Sequence, residues 1–232
     1  MKIEYNRQIS QIELPPGTTA MVSLVAVKIE DVNGYAQELI GILSDTSWIN
    51  ALNAIGKISF EKTALRTIEK LVNDFKTINN AITSSFGEYV VSISAGQSMG
   101  LLFNHIVFPI SELWKEKLTN NHGFDFHTES PRSLISFGEA KYSKNSNPYT
   151  DAASQIINFI EMGKDGGDAA LIAHFASKKS IENLLQSSRG FTIAFSLNSE
   201  NIETILMNAL GSDLIVNLCK MCDELQIVGV LS

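Results

Sequence analysis

Apolar residues recur at helical spacing through "KTALRTIEKLVNDFKTINNAI" (62–82), where Leu65, Ile68, Leu71, Val72, Phe75, Ile78 and Ile82 make one stripe. Such a stripe predicts a helix with one buried face. The next segment, "SSFGEYVVSISAGQSMGLLFNHI" (84–106), has a β-branched cluster that resembles a strand. Ser92, Gly96 and Gly100 recur at every fourth residue, however, and on a helix they form a groove of small residues for close packing. The segment is therefore read as helix. "SELWKEKL" (111–118) is a short amphipathic helix, and "HGFDFH" (122–127) and "RSLISFGEAKY" (132–142) are two strands joined by a turn at "TESP".

After the loop "SKNSNPYT", Asp151 or Thr150 caps a helix "DAASQIINFIEMG" that stops at Gly163. "GDAALIAHFAS" and "KSIENLLQSS" read as helices, "GFTIAFSLN" as a strand, "NIETILMNAL" and "DLIVNLCKMCDEL" as helices, and "QIVGVLS" as a final strand. Residues 1–60 are less patterned: "TTAMVSLVAVKIE" looks like a strand, while "YAQELIGILS" fits helix or strand. Helices interleaved with short strands give an α/β (α+β) class, a central mixed sheet flanked by helices from about residue 84, with residues 1–83 as an N-terminal extension.

No run approaches the roughly 18 to 20 consecutive apolar residues of a membrane helix, and "MKIEYNRQIS" lacks the layout of a signal peptide. A cytoplasmic protein without a membrane partner is expected. The two cysteines, Cys219 and Cys222, have no second Cys or His pair nearby to complete a zinc site, so they read as free thiols. The formal charge of −7 argues against coating nucleic acid by charge alone. Residues 111–190 nevertheless carry 9 basic against 10 acidic side chains, and bound divalent cations would turn that segment positive.

In "ISFGEAKY" (135–142) alternation along a strand puts Glu139 and Lys141 on the face of Ile135 and Phe137, while Ser136, Gly138 and Ala140 keep the other face small. A hairpin brings Asp125 of "GFD" beside Glu139, and two adjacent carboxylates repel unless a cation neutralises them. Hard oxygen donors without His or Cys suit Mg²⁺ or Mn²⁺. A cation so held, with a lysine beside it, points to phosphodiester hydrolysis. "GKDGGD" (163–168) lacks the G-K-[ST] ending of a P-loop and reads as a turn. His122 and His127 flank Asp125 but are left out of the site.

"GFD" followed at hairpin distance by "GEAK" resembles the D-x(n)-E-x-K core of the PD-(D/E)xK nuclease superfamily. "FGEYVVS" supplies the acidic residue, Glu88, that the family's first core helix often carries. "ASQIINF" supplies Gln155 where that family often has glutamine after the E-x-K strand. The resemblance implies a restriction-endonuclease-like core over residues 84–232. It also implies that Asp125, Glu139 and the backbone carbonyl of Ala140 ligate the metal, that Lys141 positions water, that Glu88 holds a second cation or water, and that Gln155 orients the site. Within the superfamily the chain is similar to the nuclease subunits of the bacterial Hachiman anti-phage systems, which implies DNA as substrate and a helicase as partner. A noncatalytic nuclease-like binding subunit and a free-standing restriction-type endonuclease are the alternatives.

Overall fold

The structure, a computed structural model, describes residues 1–76, 84–115 and 123–231, with the backbone alone at 84 and 85. His122, Ile78, Ile82 and residues 116–118 of "SELWKEKL" lie outside the described residues. The described strands are β1 (Lys2–Ile9), β2 (Met21–Lys28), β3 (Ile106–Val107), β4 (Phe126–Glu129), β5 (Ile135–Lys141), β6 (Gly190–Ser196) and β7 (Glu224–Leu231). They form one seven-stranded mixed sheet in the order β1-β2-β7-β6-β5-β4-β3. The inner block β2, β7, β6 and β5 is parallel, and antiparallel strands close both edges. Every residue of β6 is buried, the near-continuous apolar pattern of a strand covered on both faces.

The helices are α1 (Val32–Ser44), α2 (Ser47–Ala51), α3 (Ala54–Lys76), α4 (Ser84–Phe103), α5 (Tyr149–Glu161), α6 (Lys164–Gly167), α7 (Ala169–Ile172), α8 (Lys178–Leu185), α9 (Ile202–Leu210) and α10 (Asp213–Leu218). Among the described residues no helix is long and apolar enough to cross a membrane. The expected boundary at residue 83 falls between α3 and α4, and the sheet runs across it, because β2 pairs with β7 along its whole length.

Two helices sandwich β5. Cβ atoms at Gly96 and Gly100 of α4 would lie 3.2 and 3.3 Å from the Val107 side chain, so the small-residue groove receives the edge strand β3. Phe126 pairs with Gly138 across β4 and β5, and its ring lies directly over that glycine and near Gly96. The face of Ser136, Gly138 and Ala140 is thereby packed on α4. The opposite face meets α5 through Phe124, whose ring centroid is 4.9 Å from Phe137 and 5.1 Å from Phe159. Gly87, in the first turn of α4, abuts the Tyr142 ring and docks that helix end on the end of β5.

Several elements differ from the sequence expectation. The turn falls at Ser130–Ser133, with Ser133 at φ 57, instead of at "TESP". Glu129 stays in β4 because its carboxylate accepts from Ser177 N (2.8 Å) and Ser180 Oγ (2.7 Å). Pro148 takes the N-cap of α5, and Asp151 lies in its first turn, where it complements the helix dipole without capping. The helix does stop before Gly163, which adopts φ 67. "GKDGGD" coils into the short helix α6, where buried Asp165 is ion-paired with Arg189. "DLIVNLCKMCDEL" is helical only to Leu218: Asp223 accepts from Ser188 Oγ (2.7 Å) and Arg189 N (3.0 Å), which draws the chain into β7 at Glu224. Both cysteines are free and buried, and burial pushes the Cys219 thiol up to about 11, so thiolate chemistry is suppressed.

Gly138→Ala puts a methyl group into the Phe126 ring. Urea denaturation should show a loss of about 1–3 kcal/mol, largely recovered by Phe126→Leu in the same chain. An unchanged midpoint in Gly138→Ala would show that the ring yields freely.

Candidate active site

Asp125, Glu139, Lys141, Glu88 and Gln155 all line one cleft of about 1280 Å³. Three of them meet at the end of β5. β4 begins only at Phe126, so beyond that point β5 has no strand neighbour on that edge among the described residues. Asp125 fills the gap: its Oδ2 accepts from Ala140 N at 2.9 Å, and its own N–H donates to Gly138 O at 2.9 Å. A carboxylate thus takes the place of a ladder partner and is held beside Glu139. The N–H and C=O of a strand residue face the same edge, so the Ala140 carbonyl faces the Asp125 side as well.

Glu139 and Lys141 share a face, as alternation requires, and Lys141 Nζ donates to Glu139 Oε1 at 2.7 Å. Glu139 is 1 % exposed, and its second oxygen, Oε2, is buried without a hydrogen-bond partner among the described residues. Desolvation raises the Glu139 carboxyl well above the usual carboxylate range, the negative charges of Asp125 and Glu88 add to the rise, and Lys141 opposes it. Burial works to lower the Lys141 ammonium, but Glu139, Asp125 and Glu88 together hold it above its ordinary value. Glu88, exposed and lining the same cleft, comes from the N-terminal end of α4, just past its first turn. Gln155, half-buried on α5, has no side-chain hydrogen bond among the described residues.

A second charged group lines the same cleft. Lys115 is ion-paired with Asp168. His127 Nε2 lies 3.6 Å from Asp168 Oδ2, too long for a hydrogen bond, and its Nδ1 lies 3.1 Å from Ser111 Oγ. Burial drives the His127 ring down to about 4, so it is neutral near pH 7. Neither Lys115 nor Asp168 stood out in the sequence, and no local spacing links them: the two are 53 residues apart, one just after a short 3-10 turn and the other at a helix start.

Among the described residues no three His, Cys, Asp or Glu side chains form a ready metal-holding group. The donors at the end of β5 still suit a hard divalent cation. Glu139 Oε2 is an orphaned buried oxygen, Asp125 is fixed beside it, and a cation there would relieve a repulsion that protonation must otherwise relieve. No family model, curated protein or solved structure matches the chain. The site therefore stands on its geometry.

The raised Glu139 group fixes the sign of a pH effect. Folding favours its neutral form, so the associated stability is present below the ordinary carboxylate range and is lost as pH rises through the raised value. Glu139→Gln should melt higher than wild type in alkaline, metal-free buffer, by roughly 2–4 °C for each kcal/mol recovered. The two melting curves should converge as pH falls. A gap that stays constant with pH would contradict the assignment.

Proposed function

We propose that the chain is a Mg²⁺- or Mn²⁺-dependent DNA nuclease with a restriction-endonuclease-like core, of the PD-(D/E)xK type. In this reading it is the effector subunit of a bacterial anti-phage complex similar to Hachiman, in which HamA is the nuclease and HamB the helicase. The observation that carries the reading is the buried Glu139 carboxylate, with one oxygen on Lys141 and the other unpartnered, beside a fixed Asp125 in a large cleft.

Asp125 and Glu139 would hold the ion with the Ala140 carbonyl, and Glu88 would hold a second ion or a water. When bound, a divalent cation supplies Lewis acidity at the phosphate and lowers the pKa of water. Lys141, kept protonated by its acidic neighbours, exchanges Glu139 for a non-bridging phosphate oxygen and stabilises the charge that builds there. The Gln155 amide oxygen accepts a hydrogen bond from the attacking water and orients it. The apolar floor around Phe124 and Phe137 holds these groups rigid and excludes bulk water.

The DNA and helicase parts rest on the resemblance and on charge. Three lysines (115, 141, 164) face five carboxylates (88, 112, 125, 139, 168) in the cleft, which is a poor DNA attractant without cations or a delivering partner. A second reading, a nuclease-like subunit that binds without cutting, is favoured by the Glu139–Lys141 pair, in which each group occupies the other, and by the absence of a ready three-residue metal group among the described residues. Calorimetric titration with Mn²⁺ separates the two, since only a nuclease should show a site that depends on Asp125 and Glu139.

With Mg²⁺, the protein alone or with its helicase should nick or degrade plasmid DNA. Glu139→Ala and Lys141→Ala should each slow this on the order of 10²–10⁴-fold. Wild-type rates in both variants would overturn the reading.

A further inference from the structure

Lys115 and Lys164, which line the same cleft, have no role in the mechanism above. Lys115 is only 17 % exposed and its partner Asp168 15 %, yet both line the cleft. Its ammonium lies 4.9 Å from the Trp114 ring centroid and 3.4 Å from where a Cβ on Gly123 would be, on the segment that leads into Asp125. Burial lowers the Lys115 ammonium, Asp168 opposes this, and Lys164 and Asp125 are both near enough to act on it. Lys115 is thus a largely desolvated cation in the cleft that Asp125 and Lys164 also line.

We propose, on the strength of the nuclease reading, that Lys115 and Lys164 form a second phosphate subsite, which takes the DNA backbone phosphate next to the one cut, and that Asp168 is the latch that holds Lys115 until DNA arrives. A pair this dry contributes little net stability, because desolvation offsets its attraction. The nearby Arg189–Asp165 pair, also dry, does not line the cleft and anchors α6 instead. Asp168 keeps a neighbour when Lys115 swings away. His127 Nε2 faces Asp168 Oδ2 at 3.6 Å, and in the tautomer in which Ser111 Oγ donates to Nδ1 that nitrogen carries the ring proton. A phosphate can therefore exchange with Asp168 on Lys115 without stranding a bare carboxylate. Lys164, four residues before Asp168 and in the same cleft, supplies the second cation.

The test is fluorescence anisotropy of a labelled DNA duplex with the full-length protein, in Ca²⁺ and in EDTA, across a salt series. Lys115→Met and Lys164→Ala should each weaken binding roughly five- to tenfold in Ca²⁺ and reduce the salt slope by about one. Asp168→Asn should tighten it, the opposite of what a merely structural ion pair predicts. Wild-type binding in both lysine variants, weaker binding in a folded Asp168→Asn, or no binding by the wild type overturns the subsite. If Asp168→Asn does not fold, the two lysine variants decide. Failure of the nuclease reading looks different: binding is then the same in Ca²⁺ and EDTA, whatever the lysine variants do.

Discussion

The burial of the Glu139 carboxylate is the constraint to which the rest of the site answers. An ionised group removed from water is costly unless it is paired and hydrogen-bonded, and Glu139 meets that condition at one oxygen only. The fold tolerates this because β5 is clamped from both sides. Phe126 and α4 press on Gly138, and Phe124 and α5 press on Phe137. The short β4 then leaves an Ala140 amide for Asp125 to cap, which brings a second carboxylate to the place where the first is least solvated. Such an arrangement stores electrostatic repulsion, and a cation or a proton relieves it.

Much of this could be read in the sequence because it depends on local periodicity. Alternation in "ISFGEAKY" fixed the face shared by Glu139 and Lys141, and the fourfold spacing of Ser92, Gly96 and Gly100 identified a helix that packs closely. What could not be read depends on contacts between distant segments. β2 looked like a strand, but nothing in its residues announced that it would pair with β7, at the far end of the chain. The helical pattern of "DLIVNLCKMCDEL" gave way at Asp223, where hydrogen bonds from Ser188 and Arg189 outweigh propensity. Lys115 and Asp168 meet only in three dimensions, so the second charged group of the cleft had no sequence signature.

The cleft holds its charges in two groups: Asp125, Glu139 and Lys141 meet at the end of β5, and Lys115 is paired with Asp168. With five acids against three lysines, the empty cleft is set to take up cations before polyanions. In the proposed reading, bound cations supply the positive charge, and a delivering partner the proximity, that a chain at −7 overall lacks for holding DNA. Rigid placement of the acids and latching of the lysine are complementary answers to one problem, which is keeping a charged site ordered before its ligands arrive.

The most direct measurement is anomalous diffraction from crystals grown with Mn²⁺. A peak about 2.1 Å from Glu139 Oε2, Asp125 and the Ala140 carbonyl, with Lys141 moved off Glu139 Oε1, is the result expected. An absence of density there, with Lys141 still 2.7 Å from Glu139, would contradict a metal-dependent site at the end of β5.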